Sequence, residues 1–367
     1  MDIVYPDYEN SIAGVANSIL KWWDITPKGP TLPLLDRYLK TDYKNVVVLL
    51  LDGAGGSVLE EHLDGRGFLR SQFAGTYSST FPPTTVAATT SIDSGLLPCR
   101  HGWLGWDCYY PRINRCVTVF HNRDTLTGEI VAEESVAWTY CGYEAISDQI
   151  RAAGGEAYVV SPFAEPRPRS FDGCCALIKA YCKSPGRKYV YAYWNEPDMT
   201  MHKLGRHSVE AQITLAALEK QVEALARELR DTLLVVTADH GMVDTLTAAL
   251  PDYPVLWRAL VRAPTIEPRA LNLFVREEAR EEFEEAFHDF FGDKFLLLTK
   301  TQVLETGLFG RGEEHPDFRA MLGDFLAVAT GDLSLFPSRE KAARFVGVHA
   351  GLTREEMTIP LIVADRR

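Results

Sequence analysis

The sequence predicts an α/β protein with a mainly parallel central sheet flanked by helices. Two observations support this prediction: four apolar segments have the composition of strands buried on both faces, and segments with helical spacing separate them. The four predicted strands are residues 45–51, 157–161, 189–194 and 232–237. Alternating helices and strands imply right-handed crossovers between parallel strands, whose carboxyl ends are where such sheets bind ligands.

Amphipathic helices are predicted near the beginning of the chain and before the fourth strand. Residues 9–22 place Ile12, Val15 and Ile19 on one helical face, and residues 209–230 repeat this spacing. We expect these helices to cover the faces of the sheet, because strands without polar alternation leave neither face to solvent.

The pattern changes beyond Asp252, where short elements replace the regular alternation. The predicted elements are strands at 256–264, 271–275 and 295–298 and a solvated helix at 276–290. We interpret approximately 245–340 as an inserted α+β subdomain within a single catalytic domain that spans 1–367. A last strand is predicted at 358–364, on the edge of the sheet because Pro360 cannot donate a backbone hydrogen bond.

Composition excludes several classes of function. The formal net charge is −12, which argues against nonspecific binding to nucleic acid or to anionic membranes. The longest apolar run, residues 46–51, is far shorter than the ~20 residues of a membrane span. The chain begins without a basic, apolar signal sequence, and its seven cysteines form no CxxC pair, so we expect a reducing, cytoplasmic environment.

A proline-rich turn at residues 81–85 is the first candidate for chemistry. Pro82 and Pro83 precede a run of small and hydroxyl residues, which favours a helix beginning at about Thr84 or Thr85. Such a helix directs backbone N–H groups and its positive dipole end outward, toward a bound anion. A hydroxyl there can attack phosphorus if its proton is removed, whereas the alternative is a simple N-cap.

Carboxylate and imidazole side chains follow the predicted strands. These candidates are Asp52, Asp198, His202, Asp239 and His240, and a further candidate, His349, lies near the C-terminus. Asp198 and His202 are four residues apart, so on a helical turn they share one face and can hold one ion. Taken singly, each cluster also has a structural explanation, such as a turn, a cap or a surface pair. Taken together, Asp and His ligands suit Zn²⁺, or Mn²⁺ as second choice, and two ions ~4 Å apart can assist phosphoryl transfer.

The ordered set of motifs resembles the alkaline phosphatase superfamily, and within it the nucleotide pyrophosphatase/phosphodiesterase branch. The motifs are Asp52-Gly, Thr85 in its proline-rich turn, Glu-Pro-Asp198-x3-His202, Thr-Ala-Asp239-His240-Gly-Met and Val-His349-Ala-Gly. They span nearly the whole chain. Residues 95–102 also resemble that branch's Gly-Leu-x-Pro-x-x-His-Gly segment, and counting back ten residues from Gly95 selects Thr85 over Thr84 as the nucleophile.

The resemblance implies a metal-dependent phosphoric ester hydrolase with two divalent cations. It assigns one cation to Asp52, Asp239, His240 and the Thr85 oxygen, and the other to Asp198, His202 and His349. It also implies a phospho-threonine intermediate and two in-line displacements, with net retention at phosphorus. The expected substrate is a small phosphorylated molecule, such as a nucleotide with a phosphodiester or pyrophosphate bond.

One position departs from the family pattern. The branch usually has an Asn four residues after the His-Gly glycine, where it helps to hold a phosphoryl oxygen, and this chain has Trp106. Its indole N–H can donate one hydrogen bond, and Trp103 and Trp106 can either stack on a substrate or pack. The alternatives are a phosphomonoesterase or phosphonate hydrolase on the same site, or a catalytically idle protein that binds metal or nucleotide.

Overall fold

Two β-sheets organise the chain, and the computed structural model describes residues 2–367. The strands are β1 (Asn45–Leu51), β2 (Phe73–Ser78), β3 (Asp107–Tyr110), β4 (Arg115–Thr118), β5 (Arg123–Asp124), β6 (Glu156–Val160), β7 (Lys188–Trp194), β8 (Thr232–Thr237), β9 (Val243–Asp244), β10 (Leu246–Ala249), β11 (Thr265–Glu267), β12 (Ala270–Leu273), β13 (Phe295–Thr299), β14 (Phe325–Ala329), β15 (Leu333–Phe336), β16 (Gly347–Val348) and β17 (Thr358–Arg366). The helices are α1 (Ile12–Trp22), α2 (Pro33–Asp36), α3 (Gly56–His62), α4 (Phe68–Ser71), α5 (Thr85–Ser94), α6 (Pro98–His101), α7 (Val136–Cys141), α8 (Ile146–Ala152), α9 (Phe171–Lys183), α10 (Asp198–Leu204), α11 (Val209–Glu228), α12 (Pro254–Ala259), α13 (Arg280–Phe291), α14 (Lys300–Thr306), α15 (Phe318–Met321), α16 (Arg339–Ala342) and α17 (Arg354–Met357).

The central sheet has six strands in the order β2-β17-β8-β1-β7-β6. Strand β1 pairs in parallel with both β7 and β8, and β6 pairs in parallel with β7. Every residue of β1 and of β8 is buried, as expected for strands covered on both faces. The four strands predicted from apolar runs are β1, β6, β7 and β8, so the predicted mainly parallel α/β fold is confirmed.

The predicted edge position of the last strand is wrong. Strand β17 lies inside the sheet, antiparallel to both of its neighbours, β2 and β8. Strand β17 pairs with β8 only over Ile362–Arg366. Pro360 lies before this paired stretch, so its missing backbone N–H costs no hydrogen bond to β8. The Thr237 hydroxyl instead donates a hydrogen bond of 2.8 Å to the Pro360 carbonyl. Strand β2 therefore forms the edge of the sheet next to β17.

A second sheet of seven strands, in the order β13-β14-β12-β11-β3-β4-β5, is antiparallel wherever its strands pair. Both of its faces are buried: along β14, residues 325, 327 and 329 join a cluster with the phenylalanines of α13, whereas 326 and 328 join the cluster that contains Phe81. Its strands come from 107–124 as well as from 265–329, and the predicted subdomain at 245–340 stays a prediction.

One short strand predicted in this region is wrong. Residues 256–264 do not form a strand, because Pro254 begins helix α12, which ends at Ala259. Proline is favoured at the first turn of a helix, where its missing N–H has no intrahelical partner. No helix within residues 2–367 is both long enough and apolar enough to cross a bilayer.

Candidate active site

The carboxyl ends of three adjacent strands bring the predicted acidic side chains together. Asp52 follows β1, Asp198 begins α10 shortly after β7, and Asp239 follows β8. The registers Leu50↔Thr237 and Leu51↔Trp194 keep these strand ends level. The backbone N–H of Asp198 donates to the carbonyl of Asp52 at 3.0 Å, so the two carboxylates are tied through the main chain.

Asp52, Asp239 and His240 form one cluster, which we call the core group. Their potential ligand atoms lie within 4.8 Å of one another, and each residue is at most 2% exposed. His240 Nε2 lies 3.2 Å from Asp52 Oδ1 and 3.6 Å from Asp239 Oδ2. These two carboxylates and one imidazole have the composition and proximity of a metal site with three protein ligands.

Asp198, His202 and His349 form a second cluster, which we call the outer group. Their potential ligand atoms also lie within 4.8 Å of one another. His202 Nε2 is 3.3 Å from Asp198 Oδ2, as their shared face of α10 predicts, and His349 Nε2 is 3.9 Å from Asp198 Oδ1. The His349 ring stacks on that of His240 at 3.7 Å between centroids, so the two groups are contiguous.

The three histidines are oriented in the same way, by backbone carbonyls. The Nδ1 partners are the Gly347 carbonyl for His202 at 2.7 Å, the Gly241 carbonyl for His240 at 2.9 Å and the Pro83 carbonyl for His349 at 3.0 Å. Because a carbonyl can only accept, Nδ1 carries the proton in each ring, and in a neutral ring Nε2 is left with its lone pair. Metal-binding histidines are typically held in this way.

Each of the three carboxylates retains a buried oxygen without a hydrogen-bond donor: Asp52 Oδ1, Asp198 Oδ1 and Asp239 Oδ2. The other oxygens of the core group are bound by the protein: Asp52 Oδ2 accepts from Tyr193, and Asp239 Oδ1 accepts from the backbone N–H of Gly53 at 3.1 Å. A buried unpaired carboxylate oxygen is costly unless a cation satisfies it. The unpaired oxygens and the Nε2 atoms therefore fit divalent cations.

The electrostatics of the cluster also favour cations. Burial, followed by repulsion from Asp52, raises the pKa of Asp198 well above its usual range and that of Asp239 to about 8. Burial would lower the pKa of His240, but the carboxylates of Asp239 and Asp52 raise it to about 10. Burial lowers the pKa of His202 to about 4, which keeps it neutral as a ligand must be. Without a cation, the three carboxylates oppose one another's ionisation.

Thr85 lies beside the core group at the beginning of α5. Its Oγ1 is 3.3 Å from His240 Nε2 and 3.5 Å from Asp52 Oδ2. Helix α5 begins at Thr85, one of the two predicted positions. Its N-cap is Thr84, whose side chain makes no capping bond. The N-cap alternative therefore falls on Thr84, and Thr85 is the hydroxyl that faces the candidate ligands.

Two polar side chains at the site were not found from the sequence. Tyr193 donates to Asp52, and the only signal for it in the sequence is a phenol at the next-to-last residue of a buried strand, β7. Glu267 accepts hydrogen bonds from the Thr84 hydroxyl at 2.6 Å and from the Trp106 backbone N–H at 3.0 Å. No local pattern identified Glu267, because it reaches the site from the second sheet.

The two tryptophans at the departure from the family pattern differ. Trp103 is buried, and its indole N–H donates to the Cys141 carbonyl at 2.8 Å, so it packs. Trp106 is 38% exposed and its ring contacts those of Phe120 and His121. Of these two tryptophans, only Trp106 has a ring that a ligand could reach.

Comparison with known proteins identifies the family. A family model described as type I phosphodiesterase / nucleotide pyrophosphatase matches residues 46–285, about two thirds of the chain. The chain belongs to this family. The match includes every predicted site residue except His349, which the fold brings to the same cluster. Membership confirms the resemblance to the nucleotide pyrophosphatase/phosphodiesterase branch and supports a phosphoryl hydrolase.

Solved structures of low sequence identity share the fold. Murine ectonucleotide pyrophosphatase/phosphodiesterase 5, in an inactive form in complex with AMP, has a TM-score of 0.65 and 17% identity over 86% of this chain and 87% of its own. The phosphonoacetate hydrolase from Sinorhizobium meliloti 1021, in complex with phosphonoformate, has a TM-score of 0.65 and 16% identity over 86% of this chain and 89% of its own. No curated protein sequence matches the chain.

Proposed function

We propose that this family member is a two-metal hydrolase that cleaves phosphodiester or nucleotide pyrophosphate bonds through a phospho-threonine at Thr85. The observation that carries the proposal is the contact between the two groups of ligands. The core and outer groups share the His240–His349 stack, and the Thr85 hydroxyl lies against the core group. Two adjacent cation sites with a hydroxyl at one of them is an arrangement suited to phosphoryl transfer.

The residues fit the metals that the family implies. Asp52, Asp239 and His240 would hold one cation together with Thr85, and the outer group would hold the other. Zn²⁺ is our first choice and Mn²⁺ our second, because the donors are carboxylate oxygens and imidazole nitrogens without thiolates. When bound, such cations supply Lewis-acid stabilisation of phosphoryl oxygens and lower the pKa of a coordinated hydroxyl.

The chain's own residues would position the reaction as follows. Thr85 Oγ gives up its proton to solvent water and attacks phosphorus, so a Thr85 Oγ–P bond forms while the bond from phosphorus to the leaving oxygen breaks and that oxygen takes up a proton from water. The free N–H groups in the first turn of α5, which begins at Thr85, would donate to the phosphoryl oxygens and offset their charge. Water then displaces Thr85 in a second in-line step, so configuration at phosphorus is retained overall.

The family supports the choice of substrate class. The family description favours a phosphodiester or pyrophosphate bond, and the murine structure contains AMP. A phosphonate substrate is the second candidate, because the phosphonoacetate hydrolase structure has an equal TM-score. An idle homologue is less favoured, since all seven predicted ligand and nucleophile positions are filled.

Replacing Thr85 tests the proposal. We expect Thr85→Ala to reduce hydrolysis of bis(p-nitrophenyl) phosphate, measured with Zn²⁺ or Mn²⁺, by at least about a thousandfold, because the nucleophile is removed. Thr89→Ala is the matched control: its hydroxyl lies one turn further along α5 and donates to the Thr85 carbonyl. Unchanged hydrolysis by Thr85→Ala would remove Thr85 as nucleophile, and much faster turnover of p-nitrophenyl phosphate would overturn the diesterase assignment.

A further inference from the structure

Glu267 reaches the phosphoryl site from the second sheet. It is the last residue of β11, and its Oε1 accepts from the hydroxyl of Thr84, the residue before the proposed nucleophile, at 2.6 Å. The same oxygen accepts from the Trp106 backbone N–H at 3.0 Å. No group within the described residues donates a hydrogen bond to Oε2.

The backbone before Glu267 is held in an unusual conformation. Ile266 has a φ of +75°, in a region that β-branched residues rarely adopt. A Cβ added to Gly105 would come within 2.8 Å of the Ile266 side chain, so the two segments pack in direct contact. Ile266 is also the β11 residue that pairs with β3, at Asp107. Strain of this kind persists where surrounding structure enforces it and is common at functional sites.

The position that Glu267 contacts is the one at which this chain departs from its family. Where the branch usually has an Asn to help hold a phosphoryl oxygen, the chain has Trp106, and the backbone there is bound by a carboxyl group. A neutral amide can donate to a phosphoryl oxygen, whereas an ionised carboxylate can only accept and repels negative charge. Glu267 therefore adds a negative charge beside the position where the branch usually has a neutral amide.

We propose that Glu267 is a specificity-determining residue that favours phosphodiester monoanions over phosphomonoester dianions. This inference rests on the proposed function. Near neutral pH and above, a phosphomonoester carries up to two negative charges, since its second pKa is about 6, and a diester carries one. Before Thr85 loses its proton, two divalent cations exceed the charge of Asp52, Asp198 and Asp239 by one unit, and the carboxylate of Glu267 cancels this excess. The negative charge of Glu267 repels a phosphomonoester dianion about twice as strongly as it repels a diester monoanion.

Glu267→Gln and Glu267→Ala test the charge directly. Burial raises the pKa of Glu267 to about 7, so assays at pH 9 keep its carboxylate ionised. At low ionic strength, we expect both variants to raise the ratio of kcat/KM for p-nitrophenyl phosphate to that for bis(p-nitrophenyl) phosphate about tenfold. Glu278→Gln is the matched control, because it removes one exposed carboxylate near the same sheet and should leave the ratio unchanged.

Phosphate binding provides a readout that does not depend on turnover. In metal-loaded Thr85→Ala protein, we expect Glu267→Gln to lower the Kd of inorganic phosphate, measured by calorimetry, about tenfold. An unchanged ratio and an unchanged Kd would overturn the inference. A change with Gln but not with Ala would also overturn it, because the effect would then come from the new amide donor. Failure of the proposed function appears separately, as hydrolysis that persists in Thr85→Ala.

Discussion

The core and outer groups have similar ligands but are built differently. The core group stands directly after two paired strands, β1 and β8, and its His240 and Asp52 side chains are 0% and 3% exposed. The outer group combines a short helix with a loop near the end of the chain, and the side chains of His202 and Asp198 are 22% and 13% exposed. The core group is therefore the more buried of the two, and under the proposed function it would hold the nucleophile while the more exposed outer group would be reached by leaving groups and water.

A buried ion pair supports the loop of the outer group. Arg269, next to β12, donates to both oxygens of Glu356 at 2.7 and 2.8 Å, and both side chains are fully buried. Glu356 also accepts from the backbone N–H of Gly351 at 2.7 Å and from the Thr353 hydroxyl at 2.7 Å. His349 lies just before these residues, so the second sheet holds the outer group in place. The same segment also contacts the core group, because the backbone N–H of Gly241, next to His240, donates to the Glu356 carbonyl at 2.9 Å.

The largest effects should separate the two groups. We expect Asp239→Asn to lose the core cation and at least about a thousandfold in activity, since both the nucleophile's site and charge stabilisation are damaged. His202→Ala should retain the core cation and lose the outer one. Metal analysis after dialysis against a weak chelator measures both, with exposed His288→Ala as the control. Loss of both cations in equal measure from His202→Ala would contradict the comparison.

The ion pair gives the next largest effect. Glu356→Gln leaves the buried Arg269 charge uncompensated, so we expect the free energy of unfolding to fall by about 3 kcal/mol in urea titrations. Glu228→Gln breaks the exposed pair with Lys179 and should cost less than about 1 kcal/mol. Outer-site metal affinity should fall in Glu356→Gln and not in Glu228→Gln. Equal costs in the two variants would show that the buried pair does not support the loop.

A smaller effect concerns the metal-free protein. Burial and repulsion from Asp52 raise the pKa of Asp239 to about 8, above its unfolded value, so the folded state favours the protonated acid. Its contribution to stability is therefore greatest near pH 4 and is lost as the pH rises to about 8. We expect Asp239→Asn with EDTA to be more stable than the parent by about 1–2 kcal/mol at pH 8, and by little near pH 4.

Urea unfolding at the two pH values measures this difference. Asp289→Asn, on the exposed face of α13, is the control and should change stability by less than about 0.5 kcal/mol. A pH-independent gain from Asp239→Asn would mean that its ionisation is not what destabilises the metal-free core group.

The contrast between the groups also explains what the sequence could predict. Strands β1 and β8 are continuous apolar runs buried on both faces, so their carboxyl ends, and with them Asp52 and Asp239, could be located from pattern alone. His349 alone offered no such pattern, and its assignment came from the family resemblance. The structure brings it to the cluster through β16 and the loop that follows.

Long-range contacts account for the features that were missed. Glu267 lies 183 residues from Thr84 in the chain, and no periodicity reports a contact across that distance. Pro360 indicated an edge strand, because the sequence does not show that pairing with β8 starts only at Ile362. The cytoplasmic location and the subdomain bounds at 245–340 stay predictions.

Trapping the covalent intermediate tests the central claim most directly. His202→Ala should slow the second displacement more than the first, so a phosphoryl group should accumulate on the enzyme. The enzyme is quenched with acid during turnover of bis(p-nitrophenyl) phosphate. Peptide mass spectrometry should then find a p-nitrophenyl phosphoryl group on Thr85 and no such group in Thr85→Ala. A phosphoryl group on another residue, or turnover of the parent enzyme with none detected in either the parent or His202→Ala, would contradict the account.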